Sequence, residues 1–477
     1  MTGFLLAILL ASEALYLALL GLNAVNGARP VIIFLTVLGA QFALCFVAYF
    51  AVRKKSVGAP LWALILGGAV LFRITLLPAG LPPDLSLHEK FAAMRADWRG
   101  ESVTYERFQL FDDDIWRYLW DGHVAARGAN PYASAPADPS ADPSMDELLA
   151  LETGGQPDWE TIRENINYPR IPTIYPPLAQ MVFRASHWLA PGSVLAMKIT
   201  VVVFDLLAYV FLILTLAELH ESPAKSILYG WNPLVIKVFA GSGHIDAIVV
   251  AALAAVCYFL ARRKRAAASV GLGLAIAAKV FPVILLPFLA RRVGAWRTVL
   301  ACAIAFACCV AYLGAGTHLF DGLRVFSATW QFNAGPFRLL TWAIGLFTSH
   351  PQLFARITCA VLVAATLVIL YRSDNADPIS FARYAVLALG AVLIFGPVVM
   401  PWYAAWLLPL GIIAWNRTAI FFSLAVCTAF LVMVQEVEWP WALVVEYGAL
   451  AGMIWWEVSR NRTRALASAQ RRVALKR

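Results

Sequence analysis

An all-α polytopic membrane protein is the fold class this sequence predicts, and three observations carry the prediction. The 477 residues are 61% hydrophobic and only 14% charged, with a mean hydropathy of +0.71, too apolar for a water-soluble chain. The apolar residues come in runs of about 20, the length that crosses a bilayer as a helix. Lys and Arg gather in short clusters at the ends of those runs, where they set orientation. The formal net charge of +9 is thereby assigned to membrane sidedness, and there is no nucleic-acid signal. Seven cysteines, Cys45, Cys257, Cys302, Cys308, Cys309, Cys359 and Cys427, all lie in apolar segments and read as small core residues rather than a disulfide framework.

Spans and sidedness can be solved together by treating the basic clusters as cytoplasmic fixed points. The first run, 3–22, has no basic leader and carries Glu13, so it reads as a retained helix. It and the run 30–52 end on Arg53-Lys54-Lys55, which sends the run 59–78 outward and leaves 79–192 outside. In that segment 131–146 is rich in Pro, Asp and Ser and reads as loop, and 178–189 is too short to span and reads as an interfacial helix. Spans follow at 193–218, 225–240 and 246–262, the last closing on Arg262-Arg263-Lys264-Arg265. The stretch 266–290, interrupted by Lys279 and Pro282 and followed by Arg291-Arg292, reads as a broken helix that enters and returns. Beyond the span 295–315 an outer loop carries His318, Asp321, Arg324, Trp330, Asn333 and Arg338, with a short interfacial piece at 336–348. Spans at 351–371, 381–398, 402–416, 418–434 and 441–458 complete twelve crossings, with Glu436 and Glu438 outside. The predicted organisation is N-terminal helices over 1–78, an extracytoplasmic catalytic loop over 79–192, a bundle with a lipid groove over 193–458 and a basic cytoplasmic tail over 459–477.

Parity collects polar residues on one side. There stand Asp112-Asp113-Asp114, the turns Tyr168-Pro169 and Tyr175-Pro176-Pro177, the turn Gly241-Ser242-Gly243-His244-Ile245-Asp246, Lys279, and Pro401-Trp402-Tyr403. Three adjacent carboxylates disfavour one another's ionisation unless a cation, a metal or a proton-transfer task offsets the repulsion. At helical spacing from Asp114, Arg117, Tyr118 and Asp121 share a face, while Ile115, Trp116, Leu119 and Trp120 supply apolar bulk for a lipid interface. The competing readings are a solvated helix start for the acidic run, a helix cap for His244 and Asp246, a snorkelling Lys279, and belt aromatics for Trp330, Trp402 and Tyr403. Asp205, Arg73 and Lys198, inside or at the ends of spans, read as helix-pairing residues. A one-sided collection points further, because polar groups in membrane segments are expensive. A carboxylate just outside the bilayer can take a proton from a hydroxyl, while basic groups at the rim stabilise a phosphate leaving a lipid-linked sugar.

Certain motifs make the chain similar to a known family. Asp113-Asp114-Ile115-Trp116-Arg117-Tyr118-Leu119-Trp120-Asp121-Gly122 is followed by Asn130-Pro131-Tyr132, Tyr175-Pro176-Pro177-Leu178, Trp231-Asn232-Pro233-Leu234, Gly241-Ser242-Gly243-His244, Lys279 with Pro282, and Pro401-Trp402-Tyr403. In this order they resemble the GT-C superfamily of integral-membrane glycosyltransferases, most of all the bacterial polyprenol-phosphate-mannose-dependent mannosyltransferases. The resemblance implies a catalytic aspartate in the first large outer loop, a polyprenyl-phosphate sugar donor, a lipid or glycan acceptor, inversion at the anomeric carbon, and a multi-pass protein of the bacterial inner membrane. The acidic run is one residue longer than is usual and the long loop follows the third helix instead of the first. The base is therefore left between Asp113 and Asp114, with Asp112 behind them. Arg117, His244 and Lys279 are expected on the donor phosphate, and Asp121, Tyr175, Ser242, Asp246, Trp330, Asn333, Trp402 and Tyr403 along the substrate groove. No cofactor is firmly implied, and a divalent metal on the acidic run stays open. The rival functions are a lipid-linked glycan polymerase or ligase, with a pyrophosphate donor, and a secondary transporter, whose acidic residues would lie at mid-span.

Overall fold

The computed structural model describes residues 1–22, 30–137, 157–435 and 440–474. Part of the Pro-, Asp- and Ser-rich stretch and both Glu436 and Glu438 lie outside them. The chain is all-α, as its composition requires: in an apolar solvent each backbone N–H and C=O must be satisfied within its own segment. Among the described residues five helices are long and apolar enough to cross a membrane, Thr2–Leu20, Val31–Val52, Ala59–Leu76, Val194–Glu218 and Pro351–Ser373, or up to six if the bent pair Ala295–Val310 and Leu313–Thr329 forms one span. The other expected crossings are built from shorter or broken pieces, including Ala247–Ala261, Phe381–Phe395 and Pro401–Ala414.

Two helix breaks carry polar residues into the bundle. The expected span 225–240 is interrupted at Trp231–Asn232, where the Asn232 side chain accepts from the Leu234 and Val235 amides and so restarts the helix, and it then widens into a π-helical turn over Lys237–Gly241. The expected re-entrant segment runs as the helix Arg265–Ala278, stops at Lys279, and returns through Phe281–Leu285 and Leu286–Val293. Its return limb ends on Arg292, fully buried with Asp374 at 2.7 Å, so the helix that brings Lys279 to one end of the bundle is anchored at the other. The basic loops that charge parity groups together meet there too: Arg262 pairs with Glu218 at 2.9 Å, and Lys225 lies over the Trp415 ring.

Two expectations change, and the basic tail gains a shape. The stretch around His318 to Arg338 is helical rather than loop, since the chain bends by 107° after Val310 and continues through Leu313–Thr329. The final helix, Pro440–Ala474, runs through most of the expected basic tail. The helix Asp114–Ala126 does not lie on a lipid surface: Ile115, Trp116, Leu119 and Trp120 are each at most 4% exposed. Helix Pro177–Leu189 covers it so closely that a Cβ on Gly122 would sit 2.5 Å from the Phe183 carbonyl oxygen. It is Pro177–Leu189 that turns Trp188 and Leu189 outward.

Candidate active site

The acidic run is aimed by a strained bend held from several sides. Leu110 and Phe111 both have positive φ, 50° and 72°, costly for residues with a Cβ and retained only where the surroundings enforce it. The enforcement comes from Gln109, whose amide donates to the Asp112 carbonyl at 2.6 Å. Its carbonyl accepts from the Ser242 hydroxyl at 2.8 Å and its side-chain oxygen from Lys198 Nζ at 2.9 Å. Gly80 (φ +92°) packs against that side chain, where a Cβ would fall 1.9 Å from the Gln109 oxygen. Beyond the bend Asp112 Oδ1 accepts from the Asp114 amide at 3.2 Å, and the helix begins.

From Asp114 a row of alternating charges runs into the bundle. Asp114 Oδ2 lies 3.0 Å from His244 Nε2, and His244 Nδ1 lies 2.9 Å from Asp246 Oδ2. Asp246 in turn receives Lys279 Nζ at 3.2 Å and the Trp406 indole N–H at 2.6 Å. The His244 ring stacks on Trp402 at 3.8 Å between centroids, and Lys279 Nζ lies 4.8 Å from the centre of the Tyr403 ring. Gly243, at φ +70°, makes the turn that presents this histidine. Asp246 precedes helix Ala247–Ala261 but makes no capping hydrogen bond; its carboxylate faces the histidine instead.

The three aspartates are held differently. Asn167 donates through one amide nitrogen to both Asp113 Oδ1, at 2.8 Å, and Asp114 Oδ1, at 2.7 Å. For Asp114 burial alone would raise the pKa, but His244, then Asn167 and Tyr175, hold it below the usual carboxylate value. Asp113 has a weaker cation, Arg107 at 3.5 Å, and burial together with the neighbouring Asp114 and Asp112 pushes it up to about 7. Asp112 is the most enclosed, 3% exposed, and burial raises it. His244 would be lowered by burial, yet the surrounding carboxylates, Asp112 foremost, raise it to about 9. In its protonated form His244 donates from both nitrogens, to Asp114 and to Asp246.

All of this opens into a cleft of 880 Å³ lined by Asp112, Asp113, Asp114, Arg117, Tyr175, His244, Lys279, Trp330, Trp402 and Tyr403. Four of the residues expected along the groove, Asp121, Ser242, Asp246 and Asn333, do not line it. Each is at most 2% exposed and is used up behind the wall. Asp121 takes Arg117 Nε at 2.7 Å and Gln180 at 2.9 Å, Ser242 holds the Gln109 carbonyl, Asp246 holds His244 and Lys279, and Asn333 donates to buried Glu446 at 3.0 Å. Arg117 is oriented by this arrangement, its Nη1 donating to the Ile171 carbonyl at 2.9 Å and its Nη2 having no hydrogen-bond partner.

The cleft also includes two residues that no sequence pattern singles out, Arg107 and Asn167, and Arg338 from the expected outer loop. Asn167 stands beside the Tyr168-Pro169 turn, but an asparagine next to a turn has no signature of its own. A metal on the acidic run can be tested against these contacts. Asp112, Asp114 and His244 bring donor atoms within 4.8 Å of one another, a donor set for which a divalent cation would have to displace the proton that the carboxylates favour on His244.

Among curated proteins and solved structures nothing matches the chain. A family model does match, and it covers the acidic run, Asn167, His244, Asp246 and Lys279 while leaving the Trp330 and Trp402 walls outside. Residues 108–295 match the model of the MptA_B family, described as alpha-(1->6)-mannopyranosyltransferase, N-terminal domain, a mannosyltransferase family of the GT-C type.

Proposed function

We propose that the enzyme moves mannose from a polyprenyl-phosphate carrier to a hydroxyl of a lipid or glycan acceptor, at the extracytoplasmic face of the bacterial plasma membrane. The observation that carries this reading is the pairing of Asp113 and Asp114 under one Asn167 amide, at a cleft that also holds Lys279, Arg117 and Arg338. Asp113 is the general base, because a carboxylate whose pKa lies near 7 can hold and release a proton at working pH. It takes the acceptor's proton as that oxygen bonds to the anomeric carbon and the bond from that carbon to the phosphate oxygen breaks. A single displacement of this kind inverts the anomeric configuration. The departing lipid phosphate carries the negative charge away from the sugar, and Lys279, Arg338 and the unpartnered Arg117 Nη2 are the groups that meet it. His244, enclosed by carboxylates, does not reach the phosphate; it fixes Asp114, which orients Asn167. Trp402, Tyr403, Tyr175 and Trp330 shape the passage for sugar and lipid.

The test is transfer from a synthetic polyprenyl-phosphate mannose donor by purified Asp112→Asn, Asp113→Asn and Asp114→Asn variants, normalised to folded protein. Asp113→Asn should lose about two to four orders of magnitude in turnover while still binding donor, and the other two should lose less. Full activity in all three would sink the mechanism; chelator sensitivity would bring a metal back. Sidedness is read separately in a cysteine-free background, where Glu101→Cys should react with an impermeant reagent on intact cells and Ser373→Cys should not.

A further inference from the structure

One buried cation takes no part in the row of charges from Asp114 to Lys279. Lys237 stands on the π-helical turn Lys237–Gly241, is 0% exposed, and its Nζ has no hydrogen-bond partner. Its Nζ lies over the face of Phe430, 4.3 Å from the ring centre. A lysine can usually carry its ammonium to water along its own stem, but here the route is closed by aromatic rings. Phe34 packs on Phe430 at 5.2 Å and on Phe111 at 4.7 Å, and Phe111 is the residue before Asp112.

On the other side of this packing Asp112 has the complementary defect. Its Oδ1 accepts from the Asp114 amide, whereas its Oδ2 is buried with no partner. His244 Nε2, the nearest cation, is 3.8 Å from it and is aimed at Asp114. A buried ion left alone costs several kcal/mol, and two such ions of opposite sign in one core are cheaper together than either alone. Burial raises Asp112 most, and Lys237 is among the charges that act against it.

We infer that Lys237 is a positioning residue for the acidic run, a sealed counter-charge to Asp112 that keeps the strained bend over Leu110–Asp114 in place. It touches no substrate. The inference deepens the proposed function, because it takes the acidic run as the reacting centre, and it assigns a role to helices outside the matched region. Phe34 comes from Val31–Val52 and Phe430 from Ala429–Gln435, so the N-terminal and C-terminal parts of the chain together close the lysine in. Charge neutralisation that a bound cation could supply is built into the bundle.

The experiment is a cycle of Lys237→Met, Asp112→Asn and the double variant, each purified in detergent, with thermal midpoint measured without substrate and transfer measured with the synthetic donor. Each single change leaves one buried charge uncompensated, so both midpoints should fall, and the double variant should be more stable than either single one. Lys237→Met should lower turnover by about tenfold and leave the donor KM within about twofold, as expected for a change that tilts the base without removing a substrate contact. Additive midpoint losses, or a Lys237→Met protein indistinguishable from the parent, would overturn the inference. If Lys237→Met does not fold, the double variant still must; failure of both is also a refutation. Because the midpoints need no donor, they report on the charge pair even if the proposed donor is wrong.

Discussion

Two buried charge systems in this bundle differ in how their charges balance. Between helices Ala59–Leu76 and Val194–Glu218, Arg73 meets Asp205 with Nε to Oδ2 at 2.5 Å and Nη2 to Oδ1 at 3.1 Å. The Tyr229 hydroxyl adds a bond to Asp205 at 2.8 Å, and Arg73 Nη1 donates to the Ala69 and Gly230 carbonyls. One cation faces one anion, both are at most 1% exposed, and the cleft does not reach them. At the acidic run three carboxylates, Asp112, Asp114 and Asp246, crowd around His244, with Lys279 on Asp246, and Asp113 has Arg107 at 3.5 Å as its cation. The first arrangement joins helices; the second is the one that the proposed mechanism uses to accept a proton. A buried charge in a membrane bundle is therefore not in itself a sign of function. A crowd of carboxylates beside a cleft is.

The contrast is sharpest where one partner is removed. Arg73→Met leaves Asp205 buried and unpaired and should cost about 3–5 kcal/mol of stability, with turnover per folded molecule unchanged. Thermal or denaturant unfolding with a parallel transfer assay checks both halves. If the variant is stable but inactive, Arg73 belongs to the reaction after all and the division between the two systems fails. A smaller effect is expected at the cleft itself. On the proposed mechanism Lys279→Ala removes a charge-assisted contact to the leaving phosphate, and should reduce kcat/KM for the donor about tenfold, while Lys279→Arg keeps part of it. It also frees Asp246, so a modest loss of stability should accompany it.

Much of the site is legible in the sequence because membrane physics restricts the alternatives. Run length and charge parity bring the Asp112–Asp114 run, the His244 turn, Lys279 and Trp402 to one end of the bundle without any structure, since each basic cluster fixes a side. What the pattern cannot carry is the direction in which a side chain points. Asp121 is on the predicted face of its helix with Arg117, but that face meets Gln180 and not solvent, because a helix read as interfacial is enclosed on all sides. Lys237 is readable as a charge inside an apolar run, yet a run of that length looks like any other span until its helix is seen to break at Asn232. Asn167 and Arg107 come from irregular segments, where no period exists to place them.

The least conspicuous consequence of the unbalanced site concerns pH. Asp113 is raised to about 7 from the ordinary 3.8 by burial, then by Asp114 and Asp112, so its neutral form is favoured in the fold. Turnover, which needs the ionised form, should rise with pH through about 7 and then level off. Stability should run the other way: the contribution of this group is fully present below the unfolded value and is lost as pH rises from there through about 7. Asp113→Asn keeps the neutral shape at every pH, so its thermal midpoint should equal that of the parent near pH 4 and exceed it at pH 8, where the parent carries an ionised Asp113 among other carboxylates. Removing one repelling neighbour should move the group toward its ordinary value, so in Asp112→Asn the rise in turnover should begin at lower pH. Arg73→Met, in a region with no excess charge, should leave the midpoint of the activity profile where it was. A parent whose turnover is flat between pH 5 and 9 with chemistry rate-limiting, or an Asp113→Asn protein no more stable than the parent at pH 8, would show that the acidic run is as fully balanced as the Arg73–Asp205 pair.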